Sequence, residues 1–255
     1  MTGTLALFYR DMKIWTRRPA LPFITLISPL VYFLIFGPTL TTLVSPIRVG
    51  EISVKYIVFI TPGILAILML STSVMSSITT LFLDRRSGMF EFLMGCPVSK
   101  QAYVLARFMA SITQTMLLTS LFLLLGYGVL GFPLSLAGLL TFFAGVTLGT
   151  LFFSSLMLII VTKITDQDTF NALMSFSMPL LIFTSSAFYP IQLLPGPLAT
   201  VAMVNPLTYV IEILRAGILN TFTDSTIIVI SFFAAVTLAL CFASIKAFLR
   251  AEMLR

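Results

Sequence analysis

The chain has 255 residues, 58% of them hydrophobic and only 9% charged, with a mean hydropathy of +1.09. A soluble domain carries about 25% charged residues, so the composition excludes a soluble enzyme. It specifies an integral membrane protein, expected as one domain over 1–255, with length for several spans but not for an added enzymatic unit. The formal charge of +6 lies in short clusters beside apolar runs rather than along one polar face; this argues against nucleic acid as a partner and makes the cations topology signals.

The first 20 residues form an element of their own. Leu5, Phe8, Met12 and Trp15 recur at helical spacing, with Arg10, Lys13 and Arg17 opposite, which predicts an elbow helix lying in the membrane interface with its aromatic side down. Apolar runs long enough to cross a bilayer follow at roughly 21–44, 56–83, 103–131, 136–162, 170–190 and 225–247, predicting six spans. The first run is long and lacks a small-residue cleavage site after it, so it is expected to stay as an anchor rather than leave as a signal peptide. With this spacing twelve of the 15 basic residues fall on one side, leaving Arg48, Lys55 and Arg215 on the other; both termini are therefore expected in the cytoplasm.

Between the second and third runs stands LDRRSGMFEFLMGCPVSK, residues 83–100. Ser87 to Met94 is predicted to form a short helix, with Glu91 suited to the positive helix end and Gly95 and Pro97 as the stop. Met89, Phe90, Phe92 and Leu93 then offer an apolar surface outside the membrane, and such a surface wants a partner. The plainer alternative is an interfacial helix that only ties two spans together.

Hydroxyls are dense in the second run, STSVMSSITT, with Ser71, Ser73 and Ser77, and in the fifth, with Ser177, Ser185 and Ser186 around Pro179. They can line a path for an amphiphile or pack helices together. Gly145 and Gly149 have the spacing of a close helix contact. Asp166 and Asp168 form a short acidic loop that could bind a cation or cap the next helix. Cys96 and Cys241 fall on different segments and suggest neither a disulfide nor a metal site.

The segment 191–224 is less ordinary. NPLTYVIEILRAGIL begins with Asn205 as a helix cap and Pro206 in the first turn. The apolar helix after it runs about 13 residues, roughly 20 Å and too short to cross. With LLPGPL breaking the chain before it, a re-entrant pair of short helices in the outer leaflet is predicted, tolerable only where protein or water satisfies the broken backbone. Glu212 and Arg215 lie three residues apart and can pair, either as a local brace or as a latch on an outer gate.

The absences bear on the energy source. The chain has no His and no acid in the central part of any predicted span, and Arg107 lies near an inner end where it can reach out to the interface, which disfavours a proton-coupled carrier. It has no phosphate-binding Gly-rich loop with Lys-Ser/Thr, no His-Glu-x-x-His and no Cys pair at zinc spacing. No catalytic residue, cofactor or metal is therefore expected on this chain. The alternative of an ion-coupled carrier or channel subunit stays open at this point.

In the stretches DRRSGMFEFLMGCPVSKQAYVLAR, VTKITDQDTFNALMSFSMPLLIFTSSAFYPIQLLP and NPLTYVIEILRAGIL the sequence resembles the membrane permeases of the type-2 exporter branch of ABC transporters, which include drug, polysaccharide and lipo-oligosaccharide exporters. The resemblance covers essentially the whole chain. It implies an all-α fold of six spans, an N-terminal elbow helix, a coupling helix in the first inner loop (84–100) and outer re-entrant helices before the last span. It implies a transmembrane subunit of an exporter in the plasma membrane, working as a dimer with a second copy or a sister permease, with two ABC ATPase subunits below that bind ATP and Mg. Under that resemblance Arg85, Arg86, Gly88, Met89, Phe90, Glu91, Phe92, Leu93 and Pro97 would meet the ATPase, although Arg85 stands where many relatives have Glu. Asn205, Pro206, Tyr209, Glu212 and Arg215 would form the outer gate, and Ser71, Ser73, Ser77, Ser177 and Ser185 are candidates to line the path.

Overall fold

The computed structural model describes residues 2–43, 45–49, 52–95, 99–131, 135–164 and 166–251. Helix α1 (Thr2–Thr16) is followed by α2 (Ala20–Val31), a π-helical turn (Tyr32–Phe36) and α3 (Gly37–Leu43). Pro29 lies inside α2, where it removes a backbone donor, and the wide turn follows within one helical repeat. Next come a two-stranded antiparallel ribbon, β1 (Ile47–Val49) and β2 (Ile52–Val54), and the long α4 (Tyr56–Arg86). The rest is α5 (Met89–Gly95), α6 (Lys100–Leu130), α7 (Leu136–Lys163), α8 (Gln167–Phe183), a 3-10 turn (Ile191–Leu193), α9 (Gly196–Val204), α10 (Pro206–Leu219) and α11 (Asp224–Ala251). The ribbon lies in the segment read from the sequence as an outer loop, and no strand was expected there.

Five stretches are long and apolar enough to cross a bilayer: Pro22–Thr39, Tyr56–Ser76, Lys100–Leu130, Leu136–Lys163 and Thr226–Ala251. The predicted fifth span, 170–190, is a helix of 17 residues that stops at Phe183, about 26 Å long and at the lower limit of a crossing. Helices α9 and α10 form the predicted broken pair, bent by 79° at Asn205.

Helix α4 is the axis of the bundle. Its apolar stretch is 89% buried, against 11% for that of α11. A buried central helix needs its polar side chains satisfied, and on α4 the hydroxyls of Thr61, Thr72 and Ser73 donate to their own helix's carbonyls four residues back at 2.7 Å. Around α4 pack α6, α7 and α10. Glycines set how closely α7 and α10 approach: a Cβ on Gly217 would meet the Gly138 carbonyl at 2.8 Å and the Phe142 backbone at 2.8 Å. Further along α7, a Cβ on Gly145 would meet Ile213 at 2.8 Å, and Gly149 faces Met69 and Val210. The Gly145/Gly149 spacing is therefore used, against two helices at once.

Three serine or acidic caps fix helix starts: Ser99 for α6, Ser135 for α7 and Asp166 for α8. Asp166 accepts from the Thr169 backbone at 2.7 Å and from its hydroxyl at 2.6 Å, and these bonds hold its carboxyl below the ordinary range. Among the described residues no group of three metal-ligating side chains stands together. Asp166 thus serves as the cap of α8.

Candidate functional site

At the end of the bundle that carries most of the basic residues, α4 stops at Arg86 and the chain turns through Gly88, whose φ of 68° is a left-handed conformation that a side chain would strain. The turn sets up α5, a seven-residue helix of about 10 Å. Phe90 is buried, its ring edge-on to Tyr103 at 5.7 Å and to Phe248 at 6.2 Å, while Tyr103 and Phe248 stack at 5.9 Å. The Arg85 guanidinium lies 5.8 Å from the Phe90 ring and donates to the Val161 carbonyl at 3.4 Å. Met89 and Phe92 point outward, Phe92 being 67% exposed. Gly88 and Arg86 are exposed and Leu93 packs partly on the core. The single apolar surface read from the sequence is thus two faces: Phe90 and Leu93 anchor the helix, and Met89 and Phe92 are presented. The Glu91 side chain and Pro97 lie outside the described parts.

Behind α5 stands a cluster that the sequence reading missed. Asp84 on α4 accepts from Arg10 Nη2 at 2.9 Å, from the Tyr103 hydroxyl at 3.0 Å and from Arg107 Nη2. Asp11 on α1 accepts from Arg107 Nη1 at 2.7 Å and from Arg10 Nη2 at 3.1 Å. Two arginines and two aspartates thus tie α1, α4 and α6 together in a neutral set. Burial pushes the Asp11 carboxyl above its ordinary range, and the Arg107 and Arg10 guanidinium groups hold it back in part. Two sequence expectations are corrected here. Arg107 does not reach out to the interface, because two carboxylates hold it inside. Arg10 is not on a free polar face of the elbow helix, since Leu7 and Asp11 form the buried face of α1 against α6 while Leu5 is 56% exposed.

At the opposite end, residues 184–190 after α8 are irregular, and their neighbourhood shows how broken backbone is made tolerable in an apolar bundle. Asn205 Nδ2 donates to the Leu181 carbonyl at 2.7 Å and to Thr184 Oγ1 at 3.0 Å, while its Oδ1 caps α10 by accepting from Leu207 N at 2.9 Å. The Ser185 hydroxyl donates to the Ile182 carbonyl at 2.7 Å and the Tyr189 hydroxyl to that of Phe183. Arg215 Nη2 donates to the Ser186 carbonyl at 2.9 Å and its guanidinium lies 4.1 Å from the Phe59 ring centroid. The Tyr56 hydroxyl donates to the Phe188 carbonyl at 3.0 Å. Gly63 of α4 gives the Ala187 backbone room to lie against it.

Glu212 lies on the same helix as Arg215 and close enough to act on its charge, but the two make no ion-pair contact. Arg215 clamps a carbonyl, and the ion pairs found among the described residues all lie at the basic end. Pro206 fills the first turn of α10, and Tyr209 donates to the Met203 carbonyl at 2.8 Å and stacks on Phe233. Of the hydroxyls considered for a path, Ser73 and Ser185 are buried and bonded within their own segments. Ser71 and Ser177 are half-buried. The Ser77 side chain lies outside the described parts.

A helical bundle with five stretches long and apolar enough to cross a bilayer, a bent helix pair and a protruding anchored helix defines a multi-pass membrane protein. The comparisons give its family: residues 2–219 match the family model described as ABC-2 type transporter, and the chain belongs to that family. It is similar to a transport permease ycf38 of Cyanophora paradoxa, 28% identical over 203 residues that cover 78% of this chain and 68% of the relative. A transport permease ycf38 of Porphyra purpurea is 27% identical over 220 residues, covering 85% and 74% of the two chains. The protein is accordingly the membrane subunit of an ABC transporter.

Proposed function

We propose that this chain forms, with a second permease subunit, the membrane path of an exporter in the plasma membrane, and that two separate ABC ATPase subunits binding ATP and Mg drive it through α5. The observation that carries this reading is the two-faced α5. Its inner side is locked to α4, α6 and α11 through Phe90, so a push on the outer side at Met89 and Phe92 reaches three helices at once. The orientation that puts α5 and both termini in the cytoplasm rests on the basic residues gathered at that end. A proton-coupled carrier would need a titrating group near the midplane, whereas Asp11 and Asp84 sit at the basic end and are each held by two arginines.

The test is Phe92→Asp in the reconstituted transporter. Transport-stimulated ATP hydrolysis should fall at least tenfold and co-purification of the ATPase should weaken, while the amount of permease in the membrane stays unchanged. Normal stimulation by the variant would refute coupling through this helix.

A further inference from the structure

Between α1, α2, α4 and α6 at the basic end runs a partly open cleft of about 70 Å³, which the proposed transport role leaves unused. Along α4 it reaches from Leu83 to Thr72, about 16 Å at the rise of a helix and close to the ~15 Å hydrocarbon depth of one leaflet. Ile14, Trp15, Met75 and Leu118 make most of its lining apolar. Arg18, on the exposed link between α1 and α2, stands at its border. No acid among the described residues pairs with Arg18. Asp11, which also reaches the cleft, is engaged by Arg10 and Arg107 and offers no free negative charge. The wall also holds Gln114, 6% exposed and without a hydrogen-bond partner among the described residues. Its amide faces the cleft and is free to bond a polar group entering it.

A cation at the mouth with no acid paired to it, largely apolar walls about one leaflet deep and an amide facing the cleft together match one kind of occupant. We infer that the cleft binds an anionic phospholipid from the leaflet at the basic end, with its phosphate at Arg18, an acyl chain along Trp15, Met75 and Leu118, and an ester oxygen accepting from the Gln114 amide. The site lies against the elbow helix, away from α5 and from the broken outer segment, so it stands or falls independently of ATPase coupling.

Trp15 is the only tryptophan of the chain and lines the cleft, which makes the test direct. The full chain is placed in phosphatidylcholine nanodiscs with rising fractions of dibrominated phosphatidylglycerol or, separately, dibrominated phosphatidylcholine, and Trp15 fluorescence is followed. The brominated anionic lipid should quench at several-fold lower mole fraction and saturate. Arg18→Gln should lower that preference about fivefold, Gln114→Leu should weaken quenching by both lipids without changing the preference, and Lys13→Gln, a cation outside the cleft, should leave it in place. Arg18 is exposed, so its variant is expected to fold even if the Gln114 variant does not. Equal quenching by the two lipids would overturn the assignment. So would a preference that survives Arg18→Gln, or one that falls as far with Lys13→Gln, since either would mean attraction to the basic face of α1 in general.

Discussion

Removing one carboxylate from the charge cluster at the basic end is the sharpest perturbation of this fold. Asp84→Asn keeps the shape of the side chain but leaves Arg10 and Arg107 facing Asp11 alone, an excess positive charge where the arginine side chains are only 23% and 10% exposed. Breaking a buried ion pair from one side costs about 3–5 kcal/mol. Arg10 can turn partly to water, which places the expected loss near the lower end, about 3 kcal/mol. Arg107→Gln leaves the opposite excess and should cost a similar amount. The double variant is neutral again, retains the Arg10–Asp11 pair, and should recover about 2 kcal/mol relative to the sum of the singles, within the range for side chains in one network. The assay is denaturant unfolding in mixed micelles followed by Trp15, which sits one helical turn beyond Asp11 and reports release of α1. Single variants that each cost under about 0.5 kcal/mol, with a strictly additive double, would show that the cluster behaves as a surface pair and would refute the reasoning.

At the other end, Asn205→Asp keeps the acceptor that caps α10 but loses the amide donor and sets a carboxylate against the Leu181 carbonyl; it should lose about 2–4 kcal/mol in the same assay, more than Asn205→Ser, and an equal loss for both would remove the dual role of the amide. Gly217→Ala should cost about 1–3 kcal/mol by pushing α10 off α7, whereas Gly128→Ala, whose added methyl meets nothing within 4 Å, should be neutral or better; thermal stability in detergent compares them. A raised native pKa means that folded Asp11 takes up a proton more readily than the unfolded chain. Its contribution therefore grows as pH falls through the native value toward the ordinary carboxylate value, and declines as pH rises back through that window. Mild acidification should thus leave α1 docked, and the acid-side dependence should flatten in Asp11→Asn; an unchanged slope in that variant would contradict the assignment.

Much of this structure was legible because apolar run length, caps and breakers are local signals. The first four runs, the last span, the broken pair and the Asn205–Pro206 start were all read from spacing alone. Contacts with no local signature were not. Arg107 finds its carboxylates 23 and 96 residues away in sequence, so it read as a cation reaching for the interface. Arg215 binds a main-chain carbonyl, which no letter of the sequence marks, and the nearby Glu212 drew the pairing instead. The fifth span was drawn too long because the residues after Phe183 stay apolar; the helix ends there with carbonyls taken by Asn205, Ser185 and Tyr189, while Arg215 and Tyr56 hold the turn that follows. Phe90 and Phe92 could have been separated from the start, since residues two apart on a helix do not share a face.

The two ends of the molecule are joined by one element. Helix α4 carries Asp84 in the charge cluster, and 21 residues earlier Gly63 lies against the Ala187 backbone, with Tyr56 holding the Phe188 carbonyl beyond it. That separation is about 32 Å along a continuous helix. Its apolar stretch is packed on nearly every side, and close-packed interiors yield little to compression, so axial or tilting displacement at one end has few places to be absorbed before the other. Pro62 sits immediately before Gly63, where a missing backbone donor makes bending easiest. Under the coupling proposed above, a displacement of α5 passed on through Phe90 and the Asp84 cluster would reach α4 where it both hinges most readily and touches the irregular segment. There the carbonyls are held by side chains rather than by a helix ladder, and side-chain bonds can be exchanged without unwinding a helix.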